Sequence, residues 1–464
     1  MYLLPETMLI DVNSSEAILL NLVNGNADVV GDPTRKAIQD GEYGRIPRRE
    51  LDQLIDRKYL FSNSDAATSY VQSVEKSLIA QMEELPPSFV YIPSYSCNLN
   101  CYYCFEKAYD HDTSLPDQGS CSSAKAFLMA LETIVCSFEE AHRTELDPKD
   151  ISVTITGGEP FIPENYSAIL TLLKGSAILT LLKGCRNLGI TPSFVTNGYF
   201  LEPFLPILKE FGVSDIQITL DGSKPIHDSI RITKAGDGTF DQIVRSIEAL
   251  DEFAERLSVR INATKKNLPS IADPSFSKLI NEYPNVFFYL YFMQQEGCAD
   301  RKNVLNELEG LKTALRIQEC CSDLKNLDIS YHGENIVRPI FGHGAFRPKI
   351  AMCAAMSNQY IFDYTGRIYK CWWGMGNPDY QVGDFSMSGH SINRKLESPY
   401  RLRKVTSIPK CSRCRFRLIC GGGCTGRLSR QDFSLGRTIC PDFESILPFM
   451  VRHLYQSGEN HARA

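Results

Sequence analysis

Cys97, Cys101 and Cys104 stand in a Cys-x3-Cys-x2-Cys run, and Cys411, Cys414, Cys420 and Cys424 form a second tight group. Cysteine thiolates hold iron–sulfur cubes, and a cube has four irons. Three neighbouring thiolates therefore leave one iron without a protein ligand, an open position where a substrate or cofactor can coordinate. The competing reading of the first run is a zinc knuckle or three unrelated thiols. A zinc knuckle needs a fourth ligand close by, and no histidine lies nearer than His111. For the second group the competing reading is a zinc ribbon, since Cys-x2-Cys is common in zinc sites.

The rest of the chain sets the context for these thiols. All 464 residues together carry sixteen cysteines. In a secreted chain these would read as disulfides; in a reducing compartment, clustered cysteines read as metal ligands or redox groups. The segment Met1 to Val12 carries Glu6 and Asp11 and has no basic stretch ahead of an apolar one, so no secretory signal is expected. No run reaches the roughly 18 uninterrupted apolar residues of a membrane span; the best candidate, Ser167 to Gly184, is broken by Lys174. A cytoplasmic protein without a membrane partner is the expectation. A hydrophobic fraction of 43%, a charged fraction of 22% and a net charge of -6 fit a globular protein and argue against a nucleic-acid surface.

The elements that must position the thiols come next. Residues 1–88 contain no cysteine. Met8 to Val12 reads as a strand, Ala17 to Val23 is apolar before a turn at Asn24-Gly25-Asn26, and Arg49 to Tyr59 reads as a helix with Leu51, Leu54 and Ile55 on one face. Pro86-Pro87 suits a linker. From Phe89 onward, strands are expected at Phe89–Ile92, Ile151–Ile155, Pro192–Val195, Asp215–Leu220, Leu257–Ala263 and Val286–Phe292. Helices such as Ala124–His142 and Phe240–Arg256 lie between them. Alternating strands and helices mean βαβ units on a parallel sheet, and six such units curve into a partial barrel. Chemistry in such barrels sits at the C-terminal strand ends, where Cys97, Gly157-Gly158, Thr196-Asn197-Gly198 and Asp221-Gly222 fall. The nonapeptide SAILTLLKG at Ser167–Gly175 recurs letter for letter at Ser176–Gly184. A nine-residue offset turns a helix by roughly half a revolution beyond whole turns, so either one copy packs and the other loops out, or a longer helix is covered by another domain.

Set at strand ends, the first run resembles the signature of radical S-adenosylmethionine (SAM) enzymes, including the aromatic Tyr103 before its last cysteine. The resemblance implies that the open iron chelates the amino and carboxylate groups of SAM, and that reductive cleavage yields a 5'-deoxyadenosyl radical. Gly157-Gly158-Glu159-Pro160 resembles the GGEP motif, whose backbone and glutamate meet the SAM ammonium. Gln217 to Arg231, QITLDGSKPIHDSIR, resembles the next block of the peptide-modifying members. By that match Thr219 contacts the SAM ribose and Arg231 its carboxylate, for which a guanidinium fork is suited.

The C-terminal cysteines resemble the seven-cysteine SPASM pattern, Cys353-x12-Gly366-x4-Cys371 followed by Cys411-x2-Cys414-x5-Cys420-x3-Cys424 and Cys440. The resemblance implies two auxiliary [4Fe–4S] clusters, hence three [4Fe–4S] clusters with the SAM-binding one. By the family pattern Cys411, Cys414, Cys420 and Cys440 close one, and Cys353, Cys371 and Cys424 hold the other with an open iron. Its missing ligand is left among Cys298, Cys320, Cys321, water and a substrate thiolate. Cys121, Cys136 and Cys185 match no motif and read as small hydrophobes. Arg413, Arg415, Arg417, Arg427 and Arg430 read as a solvated or cluster-balancing face.

The expected fold is thus α/β: a partial (β/α)6 TIM-like barrel at 89–310, preceded by a small winged-helix-like α+β domain at 1–88 and followed by a bridge and Cys-rich SPASM domain at 311–464. The resemblance to maturases of ribosomal peptides implies a precursor peptide whose leader binds the first domain by strand addition, and a flavodoxin- or ferredoxin-type electron donor. A thioether or carbon–carbon crosslink is the expected product. The alternatives are formylglycine-forming sulfatase maturation and small-alcohol dehydrogenation. In sulfatase maturases a catalytic Asp follows the cysteine matching Cys371; here Trp372 stands there, which counts against that alternative.

Overall fold

The computed structural model describes residues 1–104, 106, 121–162, 177–293, 301–424, 426 and 437–458. The chain opens with β1 (Tyr2–Leu3), then β2 (Thr7–Asp11), β3 (Glu16–Asn21) and β4 (Ala27–Gly31), which form an antiparallel sheet in the order β2-β3-β4. Nearly every residue of β3 is buried, because its two faces serve two cores. Ile18 and Leu20 join Met8 and Ile10 in the main core. Ala17 and Leu19 pack instead with Ala37, Ile38 and Leu54 from the helices Asp32–Asp40 and Arg48–Asp56. This two-sided burial is why the sequence from Ala17 reads as continuous rather than alternating. In the second helix Leu54 is buried, but Ile55 is 37% exposed, so the expected three-residue face narrows. β5 (Leu60–Phe61) pairs with β1, and a 20-residue helix, Ser64–Glu83, follows, its first turn capped by the Asn63 side chain accepting from Ala66 N at 2.9 Å.

Six parallel strands then appear where alternation places them: β6 (Ser88–Ile92), β7 (Ser152–Ile155), β8 (Ser193–Thr196), β9 (Asp215–Thr219), β10 (Arg256–Ala263) and β11 (Phe287–Phe292). β6 is buried almost throughout, whereas the others bury alternate residues, such as Val153, Ile155, Ile216, Ile218, Val259, Ile261, Phe288 and Leu290, and leave most of those between them half-buried. The sheet does not stop there. β12 (Asp328–Ser330) joins parallel to β11, and β13 (Gln359–Asp363) joins parallel to β6. β14 (Arg367–Tyr369), β15 (Gln381–Ser386) and β16 (Gly389–Ile392) continue antiparallel, giving one sheet of eleven strands. The cysteine-rich C-terminal part is therefore stitched to the barrel through β13 on β6, the strand that delivers Cys97.

Among the described residues the helix Cys121–His142 is long and apolar enough to cross a membrane by length and composition, whereas most of the expected candidate, Ser167–Gly184, lies outside the described residues. The helix buries Phe127, Leu131, Ile134 and Val135 in the main core. The helix Phe240–Asp251 ends five residues before the expected Arg256, because Arg256 already pairs with Asp215 at the start of β10. Of the tandem repeat, the second copy lies in the helix Ala177–Asn187, with Ile178, Leu179, Leu181 and Leu182 buried. The first copy, Ser167–Gly175, lies outside the described residues.

Candidate active site and auxiliary thiols

The C-terminal ends of β6 to β10 converge on the first cysteine run. Beyond β6 the chain turns through Ser94 to Cys97, and Tyr95 Oη donates to Asp363 Oδ2 at 3.0 Å, tying this loop to β13. Leu99 N and Asn197 Nδ2 lie 3.4 and 3.7 Å from Cys97 Sγ. Asn197 Nδ2 also donates to Asn98 Oδ1 at 2.8 Å, so the Thr196-Asn197-Gly198 turn braces the cysteine loop. Burial pushes the Cys97 thiol up to about 12, with Glu159, Cys101 and Cys104 adding to the rise. A thiol in that environment ionises when a metal centre supplies the opposing charge.

Gly157 and Gly158 follow β7 with left-handed backbones, φ +89° and +44°. A Cβ on Gly158 would strike Ser96 O and stand 2.7 Å from Tyr95 C. The glycines therefore let the β7 loop lie directly on the cysteine loop. Gly158 N donates to Glu106 Oε2 at 2.8 Å and Glu159 N donates to Ser96 O at 2.8 Å. Burial raises Glu106 to about 7, with the neighbouring Glu159 contributing. Glu159 is 1% exposed and accepts from Thr196 Oγ1 at 2.6 Å and Phe161 N at 3.0 Å through Oε1, and from Asn197 N at 2.7 Å through Oε2. A carboxylate oxygen takes two donors, so Oε2 keeps capacity for an ammonium.

A second network lies across the ends of β9 and β10. Tyr103 Oη donates to Asp221 Oδ2 and accepts from Arg231 Nη1 at 2.6 Å and Asn262 Nδ2 at 3.1 Å. Asp221 Oδ1 accepts from Asn262 N at 2.8 Å, and Arg231 Nη1 lies 3.7 Å from Asp221 Oδ2. Asp221 N donates to Nδ1 of His227, which fixes that ring neutral with its other nitrogen 3.0 Å from Thr239 Oγ1. Burial holds His227 well below its usual range. Arg231 Nε is a buried donor with no partner among the described residues. Thr219 ends β9 opposite Arg260 and is 9% exposed. The structure thus brings Cys97, Cys101, Cys104, Gly158, Glu159, Thr219 and Arg231 to one end of the barrel. Asp221, Asn262 and His227 are members that sequence reasoning did not single out as site residues, although Asp221 stood in the strand-end motif.

The C-terminal thiols sort into two sets. Cys411 lies within electrostatic reach of Cys414, Cys420 and Cys440, and burial pushes it up to about 11. Cys371 lies within reach of Cys353 and Cys424, with burial raising it to about 12. No described cysteine is in a disulfide. Among the described residues no three His, Cys, Asp or Glu side chains converge as closely as a single metal ion requires. A cube takes its thiolates at separate iron corners, which a three-thiol or four-thiol set can supply. Cys320 ends the helix Glu307–Cys320 and Cys321 follows it, while Cys298 lies outside the described residues. Of the three cysteines expected to be buried small hydrophobes, Cys185 is fully buried, whereas Cys121 is half-buried and Cys136 is exposed on the helix Cys121–His142.

One expectation about a side chain changes. Arg417 is no solvated residue: its Nε donates to Glu75 Oε1 at 2.7 Å and its Nη1 to Glu6 Oε1 at 2.6 Å, all three groups being buried. Arg415 pairs with Glu444 at the surface, whereas Arg427 and Arg430 lie outside the described residues. Trp372 packs against the cluster of Val90, Ile92, Ile361, Tyr369 and Met375.

Residues 91–262 match the Radical SAM superfamily. The chain is similar to the cysteine-type anaerobic sulfatase-maturating enzyme of Clostridium novyi (strain NT), 23% identical over 374 residues, covering 76% of this chain and 91% of that protein. Among solved structures it resembles native anSMEcpe with bound AdoMet, with a TM-score of 0.55 and 15% identity over 81% of this chain and 100% of that one. It also resembles Streptococcus suis SuiB bound to precursor peptide SuiA, with a TM-score of 0.50 and 15% identity over 94% and 98% of the two chains. These structural likenesses speak for the fold. Three thiolates at a barrel mouth, a glycine-dependent approach of the β7 loop and a buried guanidinium with a spare donor suit a [4Fe–4S] cluster and SAM, the cofactors of this superfamily. Residues 91–262 thus form a radical SAM domain, and the chain is an enzyme.

Proposed function

We propose that the enzyme matures a ribosomally made peptide by forming a thioether or carbon–carbon crosslink. The observation that carries this reading is the division of the C-terminal thiols into four and three, which leaves one auxiliary iron free to take a substrate thiolate. With the cluster and SAM bound at the barrel mouth, they supply a 5'-deoxyadenosyl radical for hydrogen abstraction. Cys97, Cys101 and Cys104 hold that cluster in this reading. Glu159 Oε2 takes the SAM ammonium, Arg231 Nε its carboxylate and Thr219 the ribose hydroxyls. Cys411, Cys414, Cys420 and Cys440 hold a closed auxiliary cluster, and Cys353, Cys371 and Cys424 the open one, for three clusters in all.

A peptide substrate is supported by the solved relatives with peptides bound, SuiB with SuiA and anSMEcpe with Cp18Cys peptide. In this reading residues 1–88 receive the leader. β2 is covered by the C-terminal helix Phe443–Gln456, whose Arg452 Nε donates to Asp11 O at 2.7 Å. β4 is then the sheet edge left for strand addition. A flavodoxin- or ferredoxin-type protein supplies electrons.

Sulfatase maturation is favoured by the similarity to the Clostridium novyi enzyme. Against it, Trp372 offers no proton acceptor at the position after Cys371, and its ring is packed in an apolar cluster. Coexpression with peptides encoded beside the gene, read by mass spectrometry, separates the two. A loss of two hydrogens per crosslink supports crosslinking; formylglycine in a sulfatase-derived peptide, with neighbouring peptides unchanged, overturns it.

A further inference from the structure

The chain between Cys420 and Cys424 is Gly421-Gly422-Gly423, and all three glycines adopt left-handed backbones, φ +70°, +89° and +69°. A Cβ would meet Ala351 O at 2.5 Å on Gly421 and the Thr438 hydroxyl on Gly423. This curl turns the N–H groups of Gly422 and Gly423 back onto the Cys420 sulfur, a concave array of amides suited to negative charge. Behind it lies Arg403, 2% exposed. Its Nη2 donates to Gly422 O at 2.8 Å and to Arg437 O at 3.0 Å, and its Nη1 donates to Gly423 O at 3.2 Å. Thr438 Oγ1 also donates to Gly422 O, at 2.6 Å. One peptide unit, Gly422–Gly423, therefore carries a guanidinium and a hydroxyl on its oxygen and points its N–H at the sulfur.

We propose that Arg403 and Thr438 act through the Gly422–Gly423 peptide as positioning residues that raise the reduction potential of the cluster on Cys411, Cys414, Cys420 and Cys440. This rests on the auxiliary-cluster reading above. A donor on the carbonyl oxygen polarises the amide and strengthens its N–H as a donor. Hydrogen bonds to cluster sulfurs, and the partners that orient them, tune the potential. One-electron reduction adds negative charge to the sulfurs, so stronger donors and a buried cation favour the reduced form. Arg403 also lies within electrostatic reach of Cys353 and Cys424, so its charge acts on both auxiliary sets, while the hydrogen-bond relay acts only at Cys420. Thr438 works through the relay alone.

The test is potentiometric titration of the reconstituted full-length enzyme, followed by electron paramagnetic resonance, for the parent, Arg403→Met, Arg403→Lys and Thr438→Val. Arg403→Met is expected to lower the midpoint of that cluster by the equivalent of a tenfold change in its reduction equilibrium, ~59 mV for one electron. Thr438→Val lowers it by less, and Arg403→Lys recovers part of the loss. The cluster on Cys97, Cys101 and Cys104 keeps its midpoint in every variant. Full iron content with unmoved midpoints in both Arg403→Met and Thr438→Val overturns the proposal. If Arg403→Met loses iron, Thr438→Val decides alone. A parent with only about four irons per chain, one cube's worth, would instead defeat the auxiliary-cluster reading itself, an outcome separable from unmoved midpoints.

Discussion

The unpaired Nε of Arg231 makes a quantitative test of how SAM is held. Arg231 has a 6% exposed side chain, one bond to Tyr103 Oη and an ion-pair contact to Asp221, yet its Nε has no acceptor among the described residues. A buried donor left unsatisfied costs about 1–3 kcal/mol, and a hydrogen bond to a charged partner contributes about 1.5–3 kcal/mol. A carboxylate arriving at Nε recovers that energy. Arg231→Lys keeps a positive charge beside Asp221 but removes the Nε donor and the planar fork. At about 1.4 kcal/mol per decade, the Kd for SAM should rise about ten- to hundredfold. Equilibrium dialysis on anaerobically reconstituted protein measures this, with iron content as the control. Asp221→Asn provides the opposite perturbation. It leaves the Arg231 charge uncompensated, so the ligand-free protein loses stability by an amount on the order of the 3–5 kcal/mol of a broken buried pair. Binding of a carboxylate ligand then raises Tm more than in the parent, because the ligand supplies the missing charge. A Kd for Arg231→Lys within about twofold of the parent, with iron intact, refutes the assignment.

Other consequences follow from the same geometry. Gly158→Ala should abolish SAM-dependent cleavage, since its Cβ runs into Ser96 O and Tyr95; anaerobic detection of 5'-deoxyadenosine reads this out. Breaking the buried Arg417–Glu6–Glu75 set by Arg417→Met should cost about 3–5 kcal/mol in denaturant unfolding, and a cost below about 1 kcal/mol would mean the set is solvated. Gly184→Ala places a Cβ against Leu128 of the neighbouring helix and should destabilise by about 1–3 kcal/mol through overpacking. His227 is neutral in the folded chain with its affinity for protons depressed by burial. The unfolded chain takes a proton below about pH 6.5 while the folded one does not. Its contribution to stability is therefore present above that pH and falls as pH drops below it, at up to about 1.4 kcal/mol per pH unit. Denaturant midpoints between pH 7 and 5.5 should fall in the parent and flatten in His227→Gln.

Much of the barrel was legible because its six strands are short segments with buried apolar residues at alternate positions, and four of them lead into Cys97, Gly157, Gly198 or Asp221 at the mouth where chemistry collects. The sorting of thiols followed from the family spacing. What escaped lies in contacts between distant segments. The helix Ser64–Glu83 carries an apolar stripe at helical spacing, Ala67, Val71, Val74, Leu78 and Met82, but the satellite core it packs into is completed by Val405, Ile408 and Leu418 from far along the chain. β13 reads as an ordinary apolar run, and nothing local says that Gln359–Asp363 will pair with Ser88–Ile92. Asn262 sits inside a strand and becomes a site residue only because Tyr103 and Asp221 fold onto it.

Arg417 shows why composition misleads at this level. In sequence it is one of several arginines around Cys414 and Cys420 and reads as surface. In the fold it donates to Cys414 O at 3.0 Å, on the turn that carries two expected cluster ligands, and its other donors reach Glu6 and Glu75 in the first 88 residues. A buried cation facing two buried carboxylates must keep both partners or lose several kcal/mol. The cysteine turn and the N-terminal module thus share this buried guanidinium as well as the apolar cluster of Leu4, Ala67, Val71, Cys411 and Leu418. The residue that defied its sequence reading is therefore the polar link between the proposed leader domain and the turn that carries an expected cluster ligand.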